Sequence, residues 1–540
     1  MMKRTLMVLM LVAILAALVA APAEAARKQD GRPDGGSLSY GEYGRPVTLD
    51  PITSNEMISL RITELIFNGL VGINEKQEIV PELAERWENS KDGRTYTFFL
   101  RKDVTWHPKE GETAPRPFTA DDVVFTYRIM THPRTITPLK VRYEFIDTVD
   151  KVDDSTVKFT LKRPILNALA KFSFKIIPKH GPANQQYLTR DDPFVQHPIG
   201  TGPYVFKAVT GEREIVLAAN DNYFKGRPHL NQFVEKPFAD QNIMTQALMF
   251  NAIDMIVLVN PRDIPEIQGD KRFVLKPYNA LSYSFFGYNV RNPHLADKRV
   301  RKAFTHALNR QEMLDSFFNG QGTIISGPFA PGSWAYNLDV QPAQFDPQKA
   351  AALLQEAGFT KGADGFLQKD GKKLALSLKV PIEKESEAVK RVVLAFKNYL
   401  KNIGADIKVE FKEWQAWKED VFLEHDFDIV FASWVFDDSA DISSLFHSGE
   451  IGSWKNNFIG YSNPEVDSLI NESKLTLDHE KRRTINRKLH AILADEDPYT
   501  FLWTLTNYAA YNSKVRHVAI HPYKFFSFAD EWFIAEKDQK

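Results

Sequence analysis

Hydrophobic and polar positions repeat with two different periods along this chain. In "TYTFFLRKDVTW" (95–106) and "STVKFTLK" (155–162) apolar and polar residues alternate, which predicts half-buried strands. In "TADDVVFTYRIMT" (119–131) the apolar spacing is helical. Thr119 stands where an N-cap belongs, and Asp121 and Asp122 fall in the first turn, near the positive end of the helix dipole. "DPQKAAALLQEAGF" (346–359) repeats the design, with Asp346 as cap, Pro347 at the first helical position and Gly358 as stop. "SEAVKRVVLAFKNYLKNIGADIKVEF" (386–411) reads as an amphipathic helix, a stop at Gly404 and a strand. "PEVDSLINESKLTLDHEKRRTINRKLHAILADEDP" (464–498) reads as two helices ending before Pro498. No short-period repeat or low-complexity tract interrupts this mixture, so the pattern predicts α/β lobes rather than a solenoid. A length of 540 residues allows three or four domain-sized units or two large lobes.

The N-terminus departs from that mixture. Lys3 and Arg4 precede an apolar run from Leu6 to Ala21, and Ala23-Glu24-Ala25 follows. A basic region, an apolar region and an A-x-A site form the pattern of a cleaved secretory signal, expected here as residues 1–25. The rival reading is a membrane anchor, but the run is about 16 residues where a span needs about 20. The longest later apolar stretch, "AIDMIVLVN" (252–260), is short and contains Asp254. Residues 26–36, "ARKQDGRPDGG", read as a flexible lead-in. The chain has no cysteine, which excludes disulfides, thiolate nucleophiles, Cys-based metal sites and a lipid-modified cysteine tether. An exported but untethered chain suggests the periplasm, with free secretion as the second possibility. A formal charge of −1 gives no electrostatic case for nucleic acid or an anionic membrane.

The candidate chemistry is sparse. "HPIGTGPYVF" (197–206) is a Gly-Pro turn cluster leading into a strand. It lacks the Lys-Ser/Thr of a P-loop and the third Gly of a dinucleotide loop. There is no G-x-S-x-G elbow and no H-E-x-x-H, and of the thirteen His residues only His517 and His521 stand four apart. The most unusual stretch is "FDIVFASWVFDDSADISSLFH" (427–447), an apolar strand that breaks into Asp437, Asp438 and Asp441. Read as a calcium loop from Asp437, it would put Ile442 at position six and Ser448 at position twelve, where Gly and Glu are needed. Adjacent carboxylates point apart in an extended segment, which disfavours a catalytic pair. Asp441 suits an N-cap for the segment "DISSLF". Asp437, three residues after Trp434, is either a plain loop carboxylate or an acceptor for a cation.

A series of motifs in fixed order resembles the family-5 extracellular solute-binding proteins, the receptors of peptide and nickel ABC importers. The series comprises "VTLDP" (47–51), "IFNGLV" (66–71), "IVPELAERWENSKDGRTYTFFLRKDVTWHP" (79–108), "RPFTADDVVFTYR" (116–128), "HPIGTGPYVF", "DNYFKGRPHL" (221–230), "FGYNVRNPHLADKRVRKAFTHALNR" (286–310), "FDPQKAAALLQEAGF" (345–359) and "NFIGYSNPEVDSLI" (457–470). One departure is the lengthened loop "PKEGETAP" (108–115). The resemblance implies an α/β, two-lobed periplasmic-binding-protein fold of type II, in the large peptide-binding class, with a hinge and an interlobe cleft. Lobe I is then expected at 37–282 plus 505–540, with a subdomain at about 76–195, and lobe II at 283–504. Closure about the hinge would bury the ligand and present a shape that a membrane partner reads.

Some peptide-binding members carry Gly-Trp-x-x-Asp, whose Asp receives the peptide's α-ammonium. This chain reads Ser433-Trp434-Val435-Phe436-Asp437. The resemblance therefore implies Asp437 as amine acceptor and Trp434 as pocket wall, with Ser433 and Val435 beside them and Asn55 and Met57 from the opening segment. Main-chain pairing with the strand would serve any peptide sequence. Two departures are Ser433 in place of Gly, and Phe431 where tripeptide-binding relatives have a carboxylate-binding Arg. The expected partners are a short peptide and the permease subunits of an ABC importer. The expected protein is a monomer with no cofactor, metal or catalytic residue. Alternatives are an oligosaccharide, an opine-like compound or chelated nickel in the same fold, with Trp434, Trp414 and Trp417 available to stack sugars. A secreted hydrolase is the alternative from another class.

Overall fold

The computed structural model describes residues 31–540 apart from 55, 76–77, 110, 113, 166, 383–386, 437–439, 477, 523 and 540. Two sheets organise the chain. The larger runs, in spatial order, Phe273–Asn279, Trp503–Asn512, Met255–Ile256, Ser37–Tyr43, Gln232–Phe238, Glu214–Ala219 and Tyr204–Thr210, with Gly322–Ile324 added beside Trp503–Asn512. The second runs Asp406–Glu413, Ala375–Ile382, Ile429–Val435, Ser282–Tyr288 and Tyr499–Phe501. A separate four-stranded antiparallel sheet (Ala84–Asn89, Thr95–Leu100, Thr156–Leu161, Ile146–Asp153) carries the helix Ala120–Thr131 on the first lobe. Two short crossings link the main sheets, between Asn279 and Ser282 and between Phe501 and Trp503.

The apolar run at 427–436 is explained by its place in the second sheet. Ile429 and Phe431 pack on one face with Phe286, Phe304 and Phe396, while Val430 and Trp434 pack on the other with Phe285, Phe458 and Tyr499. A strand covered on both faces has no polar side to alternate with. The helix signals are all met: Ala120–Thr131 starts with a reciprocal Thr119–Asp122 capping box, and Asp346 accepts from the Lys349 amide at 2.8 Å. Gly358 and Gly404 follow their helices with φ of +92° and +88°, where a side chain would be strained.

The glycine-rich turn is a packing device. A Cβ on Gly200 would lie 1.8 Å from the Ile66 carbonyl oxygen, and one on Gly202 2.6 Å from the Ile66 carbonyl carbon. His107 locks the turn in place. Its Nδ1 accepts from the Gly200 amide at 3.3 Å, and its Nε2 donates to the Gly202 carbonyl at 2.9 Å. Burial holds this imidazole neutral, with its pKa lowered to about 4. Asp122 is likewise structural, accepting from Trp106 Nε1 at 3.2 Å and the Lys179 amide at 2.8 Å. Buried Arg301 donates to the carbonyls of Leu295, Ala296, Glu496 and Asp497, closing the end of the helix His479–Glu496.

Residues 1–25, read as a signal, lie outside the described residues. Within the expected lead-in, Arg32 pairs with Glu531 at 2.7 Å, Asp34 bonds His229 at 2.9 Å, and the Gly35 amide donates to the His229 carbonyl at 2.8 Å. No helix among the described residues is long and apolar enough to cross a membrane.

Candidate ligand-binding cleft

Three parallel strands of the second sheet, Ala375–Ile382, Asp406–Glu413 and Ile429–Val435, end at the same edge. In open α/β sheets ligands bind outside such carboxyl ends. Here the ends lead into residues 383–386, the exposed Trp414, and residues 437–439. The strand Ile429–Val435 is also half open. It pairs with Ala375–Ile382 only at Leu378–Ile429 and Lys379–Val430. From Phe431 to Val435 it pairs, among the described residues, on one side only, antiparallel to Phe286–Ser282. The other edge of that segment has main-chain groups available for a further strand.

Three of the candidate residues share this strand end. Ser433 is exposed, with its Oγ 3.1 Å from Ser284 Oγ, and Val435 is 66% exposed. Trp434 points to the opposite face and is half-buried. Its Nε1 donates to the Tyr499 hydroxyl at 3.3 Å, and its ring stacks on Phe285 and tilts against Phe458. The aromatic cluster thus fixes the strand end from below. Met57, 42% exposed, opens the helix Met57–Ile66 in the first lobe. Glu56 caps that helix by accepting the Ile58 and Ser59 amides, and a bidentate Arg61–Glu42 ion pair ties it to the first strand. Asp437, Asp438 and Asn55 lie outside the described residues. Asp441 accepts from the Ser443 amide at 2.9 Å in a turn just before the helix Ser443–Phe446, while Ile442, not Asp441 as its sequence suggested, holds the N-cap position.

A cavity of 590 Å³ opens directly beside this segment. Phe436 and Ala440, the residues flanking 437–439, are in its wall. The first lobe contributes Ile73, Ile79 and Leu169, and the second lobe Phe329, Trp334 and Ile442. The volume lies within the range of about 300–1,000 Å³ common for small-molecule sites. None of Ser433, Trp434, Val435 or Met57 is in its wall. The sequence reading missed Phe329 and Trp334. Their signal was large apolar residues inside the Gly-Pro-rich stretch "GPFAPGSW" (327–334), since such loops carry function when they hold bulky side chains among turn formers. Trp414 and Trp417 stack at 5.3 Å, and Trp417 is buried with its Nε1 on the Lys379 carbonyl at 3.4 Å. Among the described residues no group of three or more metal-ligating side chains converges.

Two lobes with their own main sheets, joined by two short crossings and enclosing a largely apolar cavity where they face, define a bilobal solute-binding protein of the α/β class. The chain belongs to the bacterial extracellular solute-binding proteins, family 5, whose Middle region matches residues 78–454. It is 30% identical over 550 residues to the oligopeptide-binding protein AppA of Bacillus subtilis, covering 99% of each chain. It is 28% identical over 462 residues to the dipeptide-binding protein of Escherichia coli, covering 82% of this chain and 84% of that one. The structure of AppA with a nonapeptide superposes with a TM-score of 0.73 over 94% of this chain and 100% of AppA, at 30% identity. NikZ of Campylobacter jejuni, in complex with Ni(L-His), superposes with a TM-score of 0.74 at 26% identity, over 92% of this chain and 99% of NikZ. The fold is therefore the type II, two-lobed architecture of family-5 binding proteins.

Proposed function

We propose that this protein captures short peptides in the interlobe cleft and delivers them to the permease of an ABC importer. The observation that carries this reading is the half-open edge of Phe431–Val435 beside the 590 Å³ cavity. A peptide laid along that edge adds a strand through its main chain, and its side chains reach a largely apolar cavity. Main-chain pairing is independent of sequence, which suits a receptor for peptides of varied composition. The similarity to AppA along the whole chain supports the same cargo class. Asp437, immediately after the cavity-lining Phe436, is the acceptor for the peptide ammonium. A carboxylate there supplies a charge-assisted hydrogen bond in a site that loses water on closure. Ser433, Val435, Asn55 and Met57 contribute contacts along the strand and from the facing lobe, and Trp434 braces the strand end.

The lobes are residues 37–282 with 505–540, and 283–504, and the crossings near 280 and 502 form the hinge. The chain acts in the periplasm as a monomer after removal of residues 1–25, makes and breaks no bond, and needs no cofactor. The similarity to NikZ, a relative solved with a nickel–histidine complex, favours a second reading in which the cargo is a chelated metal. Native mass spectrometry of the purified protein separates the two. Peptide masses released on denaturation are expected. A metal chelate or sugar released in their place would contradict the peptide reading.

A further inference from the structure

A second cavity, of 270 Å³, lies between the lobes and shares Lys171, Ala440 and Ile442 with the larger one. Its wall has a different character. The first lobe contributes Arg142, Arg163 and Lys171, and the second contributes Lys474 and Arg482. Among the described residues, the carboxylates in the wall are Glu144 and Asp441. Asp441 is already engaged, accepting from the Ser443 amide and lying 4.0 Å from Lys474. Arg142 and Arg163 make no ion pair with any described residue. Arg482 is 3% exposed, with its guanidinium 4.7 Å from the centre of the Trp334 ring, which lines the larger cavity. Asn486, 1% exposed, accepts from Ser473 Oγ at 2.7 Å through Oδ1, while its Nδ2 has no hydrogen-bond partner among the described residues.

A buried donor without a partner is costly, and Arg142 and Arg163 bring to the same space two guanidinium groups with no ion pair among the described residues. One event relieves both. We propose that this cavity is an oxyanion site that bridges the lobes, held by Arg142 and Arg163 on one side and by Arg482, Lys474 and Asn486 Nδ2 on the other. Guanidinium groups suit a carboxylate or a tetrahedral oxyanion because they offer paired, planar donors. The space accommodates such an ion with several waters, each needing about 30 Å³. An anion there joins donors of both lobes, so its binding favours the closed arrangement. Its source is either a free oxyanion or a carboxylate of the cargo reaching through the shared wall. The second case rests on the peptide reading and the first does not.

The test uses the mature chain, Arg163→Gln and Arg142→Gln, two exposed positions whose variants are expected to keep the native melting temperature. Each is titrated calorimetrically at constant ionic strength with inorganic phosphate, and with alanine peptides from dimer to octamer as free acids and as C-terminal amides. Phosphate binding that weakens at least tenfold in each variant supports the site as one for a free oxyanion. Free acids that bind at least tenfold tighter than their amides, with the gap closed in the variants, support it as a site for the cargo carboxylate. If peptides bind in neither form while phosphate binding still depends on Arg163, the anion site stands and the peptide reading falls. Phosphate affinity or an acid–amide gap that both substitutions leave unchanged would overturn the proposal, as would the absence of both.

Discussion

Glu235 is fully buried, and neither carboxyl oxygen has a hydrogen-bond partner among the described residues. It stands beside Tyr40 in the pairing of Gln232–Phe238 with Ser37–Tyr43, and the Tyr40 hydroxyl likewise has no partner among the described residues. Burial, with Glu42 and Glu214 adding to it, pushes its pKa up to about 8. The unfolded carboxyl titrates near 4.3, so between there and about 8 the folded state holds a proton that the unfolded state has lost. Stability from that proton is complete at low pH and disappears as pH rises through 8. Glu235→Gln should therefore match the native melting temperature at acid pH and exceed it at pH 8. A difference that stays constant with pH would contradict this titration. At Asp437 the prediction concerns binding. Asp437→Asn should weaken peptides with a free amine by about 2–5 kcal/mol, the cost of breaking a buried charge pair. Calorimetry showing equal affinity for free and acetylated peptides would remove Asp437 from that role. Asp437 is nominated by its spacing from Trp434, whereas nothing in the sequence points to Glu235, since an acid in the strand "QFVEKPF" gives no sign of which side is covered.

At the scale of elements, helices were the most legible because their signals are local. Thr119, Asp346, Gly358 and Gly404 each act within a turn of their own position. The turn at 197–206 was legible as a turn, but the reason for its glycines was not. That reason is the Ile66 backbone, brought against it by the fold, and His107 from another motif. Gly200→Ala should destabilise the protein by about 3 kcal/mol or more, measured by urea unfolding, because the new methyl must push backbone rather than a mobile side chain. An unchanged midpoint would show that the contact with Ile66 relaxes freely. For the strand Ile429–Val435, sequence predicted the element and not its half-open edge, which depends on where Ala375–Ile382 parts from it. Amides between Phe431 and Val435 should gain hydrogen-exchange protection when a bound peptide pairs with them. Protection unchanged at saturating peptide would place the cargo elsewhere in the cleft.

At the scale of the whole molecule, mixed strand and helix periods implied α/β lobes. The order of motifs implied two of them, with the first built from separated segments. Composition and periodicity alone do not show that Trp503–Asn512 returns to the first sheet, because pairing over more than two hundred residues leaves no local trace. The cavity walls were equally hidden, since Leu169 and Trp334 become neighbours only when two lobes face each other. Saturating peptide should shift the population toward closed lobes and lower the radius of gyration in small-angle scattering, with the hinge near 280 and 502 absorbing the change. A radius unchanged by a peptide that binds would mean that capture occurs without closure.

The claim that joins these scales is that the cleft takes peptides. Calorimetric titration of the ligand-stripped mature chain with the alanine peptide series and with Ni(L-His) tests it most directly. Saturable peptide binding with a negative heat-capacity change, as apolar cavity surface is buried, is expected. Heat from Ni(L-His) with none from any peptide would contradict it.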